Sequence, residues 1–309
     1  MIETPLIVIV GPTGVGKTAL AVRLALTVGG EIVSADSRQV YRYMDVGTAK
    51  PTAQERAQVP HHLIDVVDPD QTLTLAEYRE LATAAIADIA GRRRVPLLVG
   101  GTGLYVRAVA EGWTVPRVPP NPVLRQLLLE RAEKEGAAAL YAELQAVDAP
   151  AAARIDPRNV RRVVRALEVY HGSGQPISAQ QRRERPPYRA LWIGLTMPRG
   201  ELYARVDARI ERMLAAGWVR EVEDLVTRGY SLELPALSAL GYREIGCYLR
   251  GETSLEEAVA LIKRHTRRFI RHQYAWFGLA DPRLHWFDAS QPCLGAVWEL
   301  VQSFLGSGR

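Results

Sequence analysis

Leu6-Ile7-Val8-Ile9-Val10-Gly11-Pro12-Thr13-Gly14-Val15-Gly16-Lys17-Thr18 decides the fold. Leu6 to Val10 is a short, unbroken apolar run rich in β-branched residues, and Gly11 ends it. Such a run reads as a strand buried on both faces of a parallel sheet. Gly11 to Thr18 matches the phosphate-loop pattern G-x-x-x-x-G-K-[ST] completely. Thr18 to Ala25 then reads as a helix, so the loop joins a strand to a helix N-terminus. The glycines let backbone N–H groups wrap an anion, and the helix N-terminus adds a partial positive charge. Lys17 can neutralise terminal phosphate oxygens, and the Thr18 hydroxyl can ligate Mg²⁺. A glycine-rich turn without a ligand is the bland alternative, and the strand before and helix after it argue against that.

Outward from this loop, strand and helix patterns alternate. Glu31-Ile32-Val33-Ser34-Ala35 reads as a second strand ending at Asp36, and His62 to Val67 as another. Leu75 to Ile89 has apolar residues at Leu75, Tyr78, Leu81, Ala82, Ala85, Ile86 and Ile89, which is helical spacing. Val95 to Val99 is a further strand, followed by Gly100-Gly101-Thr102-Gly103. The alternation predicts an α/β fold with a largely parallel sheet. The character changes near Trp113, where Pro116, Pro119, Pro120 and Pro122 mark a boundary. Val123 to about Tyr170 is helical and rich in Ala, Leu and Arg; Gly172 to Pro176 breaks it and Pro186-Pro187 ends the segment. Ala190 to Leu195 resumes a strand, and the rest is mainly helical. The expected organisation is a P-loop core of 1–112 and 191–309 with a mainly helical insertion, 113–190.

The formal charge of the 309-residue chain is only +5, but it is unevenly spread. Arg154, Arg158, Arg161, Arg162, Arg165, Arg182, Arg183, Arg185 and Arg189 face only Asp156, Glu168 and Glu184 in the same stretch. Lys263, Arg264, Arg267, Arg268 and Arg271 form a second cluster with no acid among them. Two such clusters point to a polyanionic partner; the bland reading is two solvated helix faces. No apolar run approaches the ~20 residues that span a bilayer, and the start lacks a signal-peptide pattern. Cys247 and Cys293 build neither a zinc site nor a disulfide framework and fit a reducing compartment, so a cytoplasmic protein without membrane contact is expected.

The usual partner of a phosphate loop in an NTPase is an apolar strand ending in an Asp that holds Mg²⁺. Here the strand to Val99 runs into Gly100-Gly101-Thr102 with no acid. That weakens a motor or GTPase reading and leaves phosphoryl transfer to a small molecule, or other chemistry on a diphosphate. In parallel sheets, ligands bind beyond the carboxyl ends of strands. Gly11 to Thr18, Asp36-Ser37-Arg38-Gln39 and Gly100 to Tyr105 all fall there. Asp36 is a candidate general base, or a turn cap. Thr102 could orient a nucleophile, or serve as a turn residue.

Together these segments resemble the tRNA dimethylallyltransferases (tRNA isopentenyltransferases). The resemblance rests on Gly11 to Thr18, Ser34 to Tyr41, Met44 to Pro51, His61 to Asp65, Val99 to Tyr105, Arg165 to Val169, Leu240 to Glu244, and Thr266 through Gln273 to Phe277, in this order over nearly the whole chain. It implies that Gly11, Pro12, Thr13, Gly14, Val15, Gly16, Lys17 and Thr18 bind the diphosphate of dimethylallyl diphosphate, with Mg²⁺ at Thr18. It implies that N6 of the adenine just 3′ of the anticodon attacks the allylic C1, with Asp36 accepting the amine proton and Thr102 beside the reacting base. One of Arg205 and Arg209 is expected to clamp the diphosphate. The segments implied to touch the tRNA anticodon stem-loop are Asp36, Ser37, Arg38 and Gln39; Thr102; Arg125; Arg161, Arg162, Val163, Val164 and Arg165; and Gly241, Tyr242 and Arg243. A monomer is expected. A small-molecule kinase leaves the arginine clusters and the insertion unexplained. An adenylate isopentenyltransferase has no need of the basic segments, and a pure RNA-binding module has no need of the complete phosphate loop.

Overall fold

A computed structural model describes residues 3–116 and 118–307. The opening apolar run is strand β1 (Thr4–Val10), followed by α1 (Lys17–Val28), β2 (Gly30–Ser34), α2 (Ala53–Gln58), the short β3 (His61–His62), α3 (Leu75–Gly91), β4 (Val95–Val99) and α4 (Gly103–Ala110). Five helices come next: α5 (Pro122–Glu135), α6 (Ala137–Val147), α7 (Ala149–Ala152), α8 (Val160–Ser173) and α9 (Ile177–Gln180). Strand β5 (Tyr188–Thr196) leads into α10 (Arg199–Ala215), α11 (Trp218–Thr227), α12 (Tyr242–Leu249) and α13 (Leu255–Trp276). Strand β6 (Leu284–Asp288) and α14 (Leu294–Gly306) complete the described chain.

The six strands form one parallel sheet in the order β3-β2-β4-β1-β5-β6. β1 is central: Ile9 lies opposite Val99 on one side and Ile193 on the other. Its residues alternate between two cores. Ile7 and Ile9 pack with Leu20 and Leu24 of α1, Val206 and Ile210 of α10 and Trp218 of α11. Leu6, Val8 and Val10 pack with Tyr78, Ile86 and Ile89 of α3 and Val106 of α4. Helices on both faces explain why the strand is apolar at every position from Leu6 to Val10 rather than at alternate ones. Each such fully buried side chain contributes about 1.5–3 kcal/mol of transfer free energy.

One sequence expectation is corrected. The segment from His62 to Val67 is not a continuous strand, because Leu63 and Asp65 take positive φ (63° and 58°), which breaks strand geometry. The C-terminal region is mainly helical, as expected; within it Leu284–Asp288 pairs with β5 as the sheet's edge strand. Only Leu284 of that strand is buried, so it lacks the apolar run that announces an interior strand.

The chain divides into two compact units, Met1–Ala110 with Pro186–Arg309, and Glu111–Arg185. The second unit holds α5 to α9 and its own core of Leu128, Leu140, Leu144, Val163 and Leu167. Among the described residues no helix is long and apolar enough to cross a membrane.

Candidate active site

The loop between β1 and α1 has the backbone its sequence demands. Gly14 and Gly16 have φ of +81° and +106°, the left-handed region where a side chain is strained. A Cβ on Gly14 would also lie 2.4 Å from Val206 Cγ2 of α10. Lys17 folds back over the loop, and its Nζ donates to the carbonyls of Gly11 and Pro12 at 2.9 Å each. Burial lowers the Lys17 pKa to about 8; nearby Asp36 pulls it up and Arg209 pushes it further down. Helix α10 adds two arginines. Arg205 Nη2 lies 3.4 Å from the position a Gly16 Cβ would take. Burial lowers the Arg209 pKa, Asp36 opposes this, and Arg212 and Arg205 add to it. Neither Arg205 nor Arg209 makes an ion pair among the described residues. Three cations and a helix N-terminus thus surround one loop without matching acids, which is an arrangement for an anion of several charges.

Asp36 follows β2. Its Oδ1 accepts from the backbone N–H of Arg38 (2.8 Å) and of Gln39 (3.4 Å), so it does cap its own turn. Its carboxylate also acts on Lys17 and Arg209, which places it beside the phosphate loop. Thr102, after β4, reaches across to the same turn: its Oγ1 accepts from Ser37 N–H (3.0 Å) and donates to Ser37 Oγ (3.4 Å). The three loops expected to converge therefore do, at the carboxyl ends of β1, β2 and β4.

A residue given no role by sequence reasoning ties these loops together. Gln273 of α13 accepts from Thr13 N–H (2.8 Å) and donates to Gly101 O (3.2 Å), and it is only 5 % exposed. The signal was present: Ala258, Ile262, Thr266, Ile270 and Gln273 form the buried stripe of α13, and a Gln breaks its small and apolar character. The glycines opposite are required by close approach. A Cβ on Gly101 would sit 2.3 Å from Gln273 Nε2, and one on Gly103 would sit 2.3 Å from Trp276 Cγ.

Several residues expected to touch RNA are otherwise engaged. Gln39 has internal partners: its Nε2 donates to the carbonyls of Thr48 (3.3 Å) and Ala49 (3.2 Å), and its Oε1 accepts from Ser34 Oγ (3.2 Å). Arg38 donates to Pro235 O at 3.0 Å. Gly241 and Tyr242 take part in packing. Both are buried, Gly241 lies against Trp218, and the Tyr242 hydroxyl donates to Glu221 (2.6 Å). That carboxylate also accepts from the amides of Asp45, Val46 and Gly47. Arg243 is exposed and pairs with Glu244 (3.0 Å).

In the second unit, Val163 and Val164 are buried in that unit's core. Arg125 and Arg165 both neutralise the buried Glu168, the former at 2.8 Å, and Arg165 also donates to Val118 O (2.9 Å). Arg161 and Arg162 are exposed and make no ion pair among the described residues. On α13, Lys263 pairs with Glu211 and Arg267 with Asp207, while Arg264 and Arg268, one turn apart, are exposed and make no ion pair among the described residues. Among the described residues no group of three or more His, Cys, Asp or Glu side chains converges on one point.

Comparison with known proteins agrees with this geometry. A model of the IPP transferase family matches residues 39–279, and one of the isopentenyl transferase family matches residues 4–66. A tRNA dimethylallyltransferase of Roseiflexus sp. (strain RS-1) is 59% identical over 273 residues, which is 88% of this chain and 90% of the relative. Its namesake in Desulforudis audaxviator (strain MP104C) is 50% identical over 307 residues, 98% of each chain. Among solved structures, the full-length tRNA isopentenylpyrophosphate transferase of Bacillus halodurans superposes with a TM-score of 0.74 at 39% identity, covering 99% of this chain and 98% of that one. A eukaryotic dimethylallyltransferase, captured acting on tRNA, gives a TM-score of 0.82 at 27% identity, covering 99% and 80%. The phosphate loop, the Asp36 and Thr102 turns and the relatives' names lead to one conclusion: the chain belongs to the tRNA dimethylallyltransferase family.

Proposed function

We propose that this protein transfers the dimethylallyl group of dimethylallyl diphosphate to N6 of the adenosine just 3′ of the anticodon in tRNA, releasing diphosphate. The observation that carries this reading is the convergence of an acid-poor, cation-rich phosphate loop with Asp36 and Thr102 at one end of the sheet. The names of the relatives support it.

In the transfer, the C1–O bond of the donor breaks and diphosphate leaves with the electron pair. The lone pair of N6 closes on C1, and Asp36 takes the proton that the amine sheds as it becomes cationic. The loop amides, Lys17, Arg205 and Arg209 hold the charge that builds on the leaving oxygens. Lys17 exchanges the Gly11 and Pro12 carbonyls for phosphate oxygens. Thr102 keeps the Ser37 turn in place beside the base. A stacked adenine hides its amine, so the base enters flipped out of the loop. Thr18 is the residue that would hold a hard cation: its hydroxyl would supply one oxygen, and a diphosphate and water would supply the rest, as suits Mg²⁺. When bound, that ion adds charge neutralisation at the diphosphate. Arg161 and Arg162, with Arg264 and Arg268, are the side chains available for RNA phosphates. The reading places the protein in the cytoplasm as a monomer.

The test is transfer of label from dimethylallyl diphosphate to unmodified tRNA, with ATP and free AMP as controls. Label in the RNA is expected. Label on AMP alone, or phosphate transfer from ATP without prenyl transfer, sinks the reading.

A further inference from the structure

The phosphate loop and the Thr102 turn come from different strands, and each carries half of the proposed chemistry. The leaving group sits on one, and the acceptor's base and its support sit on the other. Gln273 makes a hydrogen bond to each: it accepts from Thr13 N–H and donates to Gly101 O. From Gly101 the chain continues to Thr102, which holds Ser37, the neighbour of Asp36. A line of hydrogen bonds thus runs from the loop that would hold the diphosphate to the turn that would hold the base. Both functions of the carboxamide are used, and the group is buried, so neither bond is replaced by water at no cost. Gln273 also shapes the loop's donor set. Pro12 has no N–H and Thr13 gives its own to Gln273, so neither offers a backbone donor to an anion.

We infer that Gln273 is a positioning residue for prenyl transfer, fixing the spacing between the diphosphate loop and the Asp36–Thr102 turn. The inference rests on the prenyl-transfer reading above. In-line displacement needs C1 and N6 in near contact, and a misplacement of about 1 Å costs up to about 100-fold. With the spacing lost, C1–O cleavage outruns capture by N6. A water oxygen then bonds C1, giving dimethylallyl alcohol, diphosphate and a proton. Loosened spacing therefore separates donor cleavage from RNA prenylation, which a general loss of folded protein does not do.

The test uses the full chain with Gln273→Met, which keeps length and volume but removes both hydrogen bonds, and Gln273→Glu, which keeps the acceptor for Thr13 N–H but removes the donor to Gly101. The measurements are kcat, KM for both substrates, melting temperature, and the ratio of diphosphate released to prenyl groups on RNA. Both variants are expected to lose about 10- to 100-fold in kcat, with KM for both substrates within about threefold and more than one diphosphate released per prenylated RNA. Wild-type kcat in the variants overturns the inference. So does a loss of activity that matches the loss of folded protein with the ratio still at unity. If Gln273→Met does not fold, Gln273→Glu decides by the same criteria. Failure of the wild type to label RNA removes the prenyl-transfer reading instead, so the two failures are distinct.

Discussion

Lys17 is the residue whose chemistry depends most on its surroundings. Burial holds its pKa at about 8, and Asp36 and Arg209 act on it in opposite directions. The charged form binds a diphosphate, so donor affinity is expected to be level below pH 8 and to weaken as pH rises through it. Bound diphosphate favours the ammonium, so binding above pH 8 takes up a proton. The same depression works against stability at low pH: folding disfavours the ammonium, and that cost fades between pH 8 and the unfolded value near 10.5. Calorimetric titration of the donor across this range checks the profile, and Lys17→Arg should remove the inflection, because guanidinium does not titrate there. Asp36→Ala should slow the single-turnover chemical step by about 10²- to 10⁴-fold with tRNA affinity nearly unchanged; a near-normal rate removes Asp36 as the base. Lys17 and Thr18 were legible in the sequence because the motif specifies their place on a backbone. The burial of Tyr242 and Val163 was not legible, because a segment match carries no information on which face of a helix is buried. Gln273 lay inside a matched segment, yet its partners are at Thr13 and Gly101, far away in the chain.

At the level of elements, α8 separates two kinds of arginine. Arg161 and Arg162 point to solvent, whereas Arg165 joins Arg125 on Glu168. Replacing Arg161 and Arg162 together by Ala should weaken tRNA binding and reduce the slope of log K against log salt by about 1.5–2. An unchanged slope makes them a solvated face. Arg125→Ala should instead destabilise the second unit by about 1–3 kcal/mol, by leaving a buried carboxylate with one partner fewer, and a melting curve reads this directly. On β2, Glu31 is held down to about pKa 2, first by its hydrogen bonds to Arg92 and also by His62. Its stabilisation is fully present above the ordinary value near 4.5 and is lost as pH falls toward 2. Glu31→Gln should flatten acid unfolding in that window. Interior strands were readable because β1 from Leu6 to Val10 and β4 are unbroken apolar runs; edge strand β6 was not, because Leu284 alone is buried.

For the whole molecule, the informative feature is the separation of cores. Residues of β1 divide between two faces of one sheet, and the second unit has a core of its own. Leu167→Ala should cost about 2–5 kcal/mol and raise hydrogen exchange through α5 to α8 while leaving β1 and β4 protected, and Val8→Ala should do the reverse. Alternation of strands and helices made the α/β class legible, and the proline-marked break near residue 116 announced a change in character. The order of strands was not legible, since it depends on pairings such as Thr4 with Tyr188 that leave no local trace. Those pairings bear on how the protein is made. β1 leaves the ribosome early, yet its neighbour β5 is synthesised only after the whole second unit, and Thr13 waits for Gln273, 260 positions later. At roughly 5–20 residues per second this is a delay of more than about ten seconds, during which β1 has β4 on one edge and no permanent partner on the other. A nascent chain stalled before α13 would carry the entire phosphate-loop motif and still lack the Gln273 bonds that close its pocket, so a growing chain is not expected to consume the prenyl donor before α13 has been made.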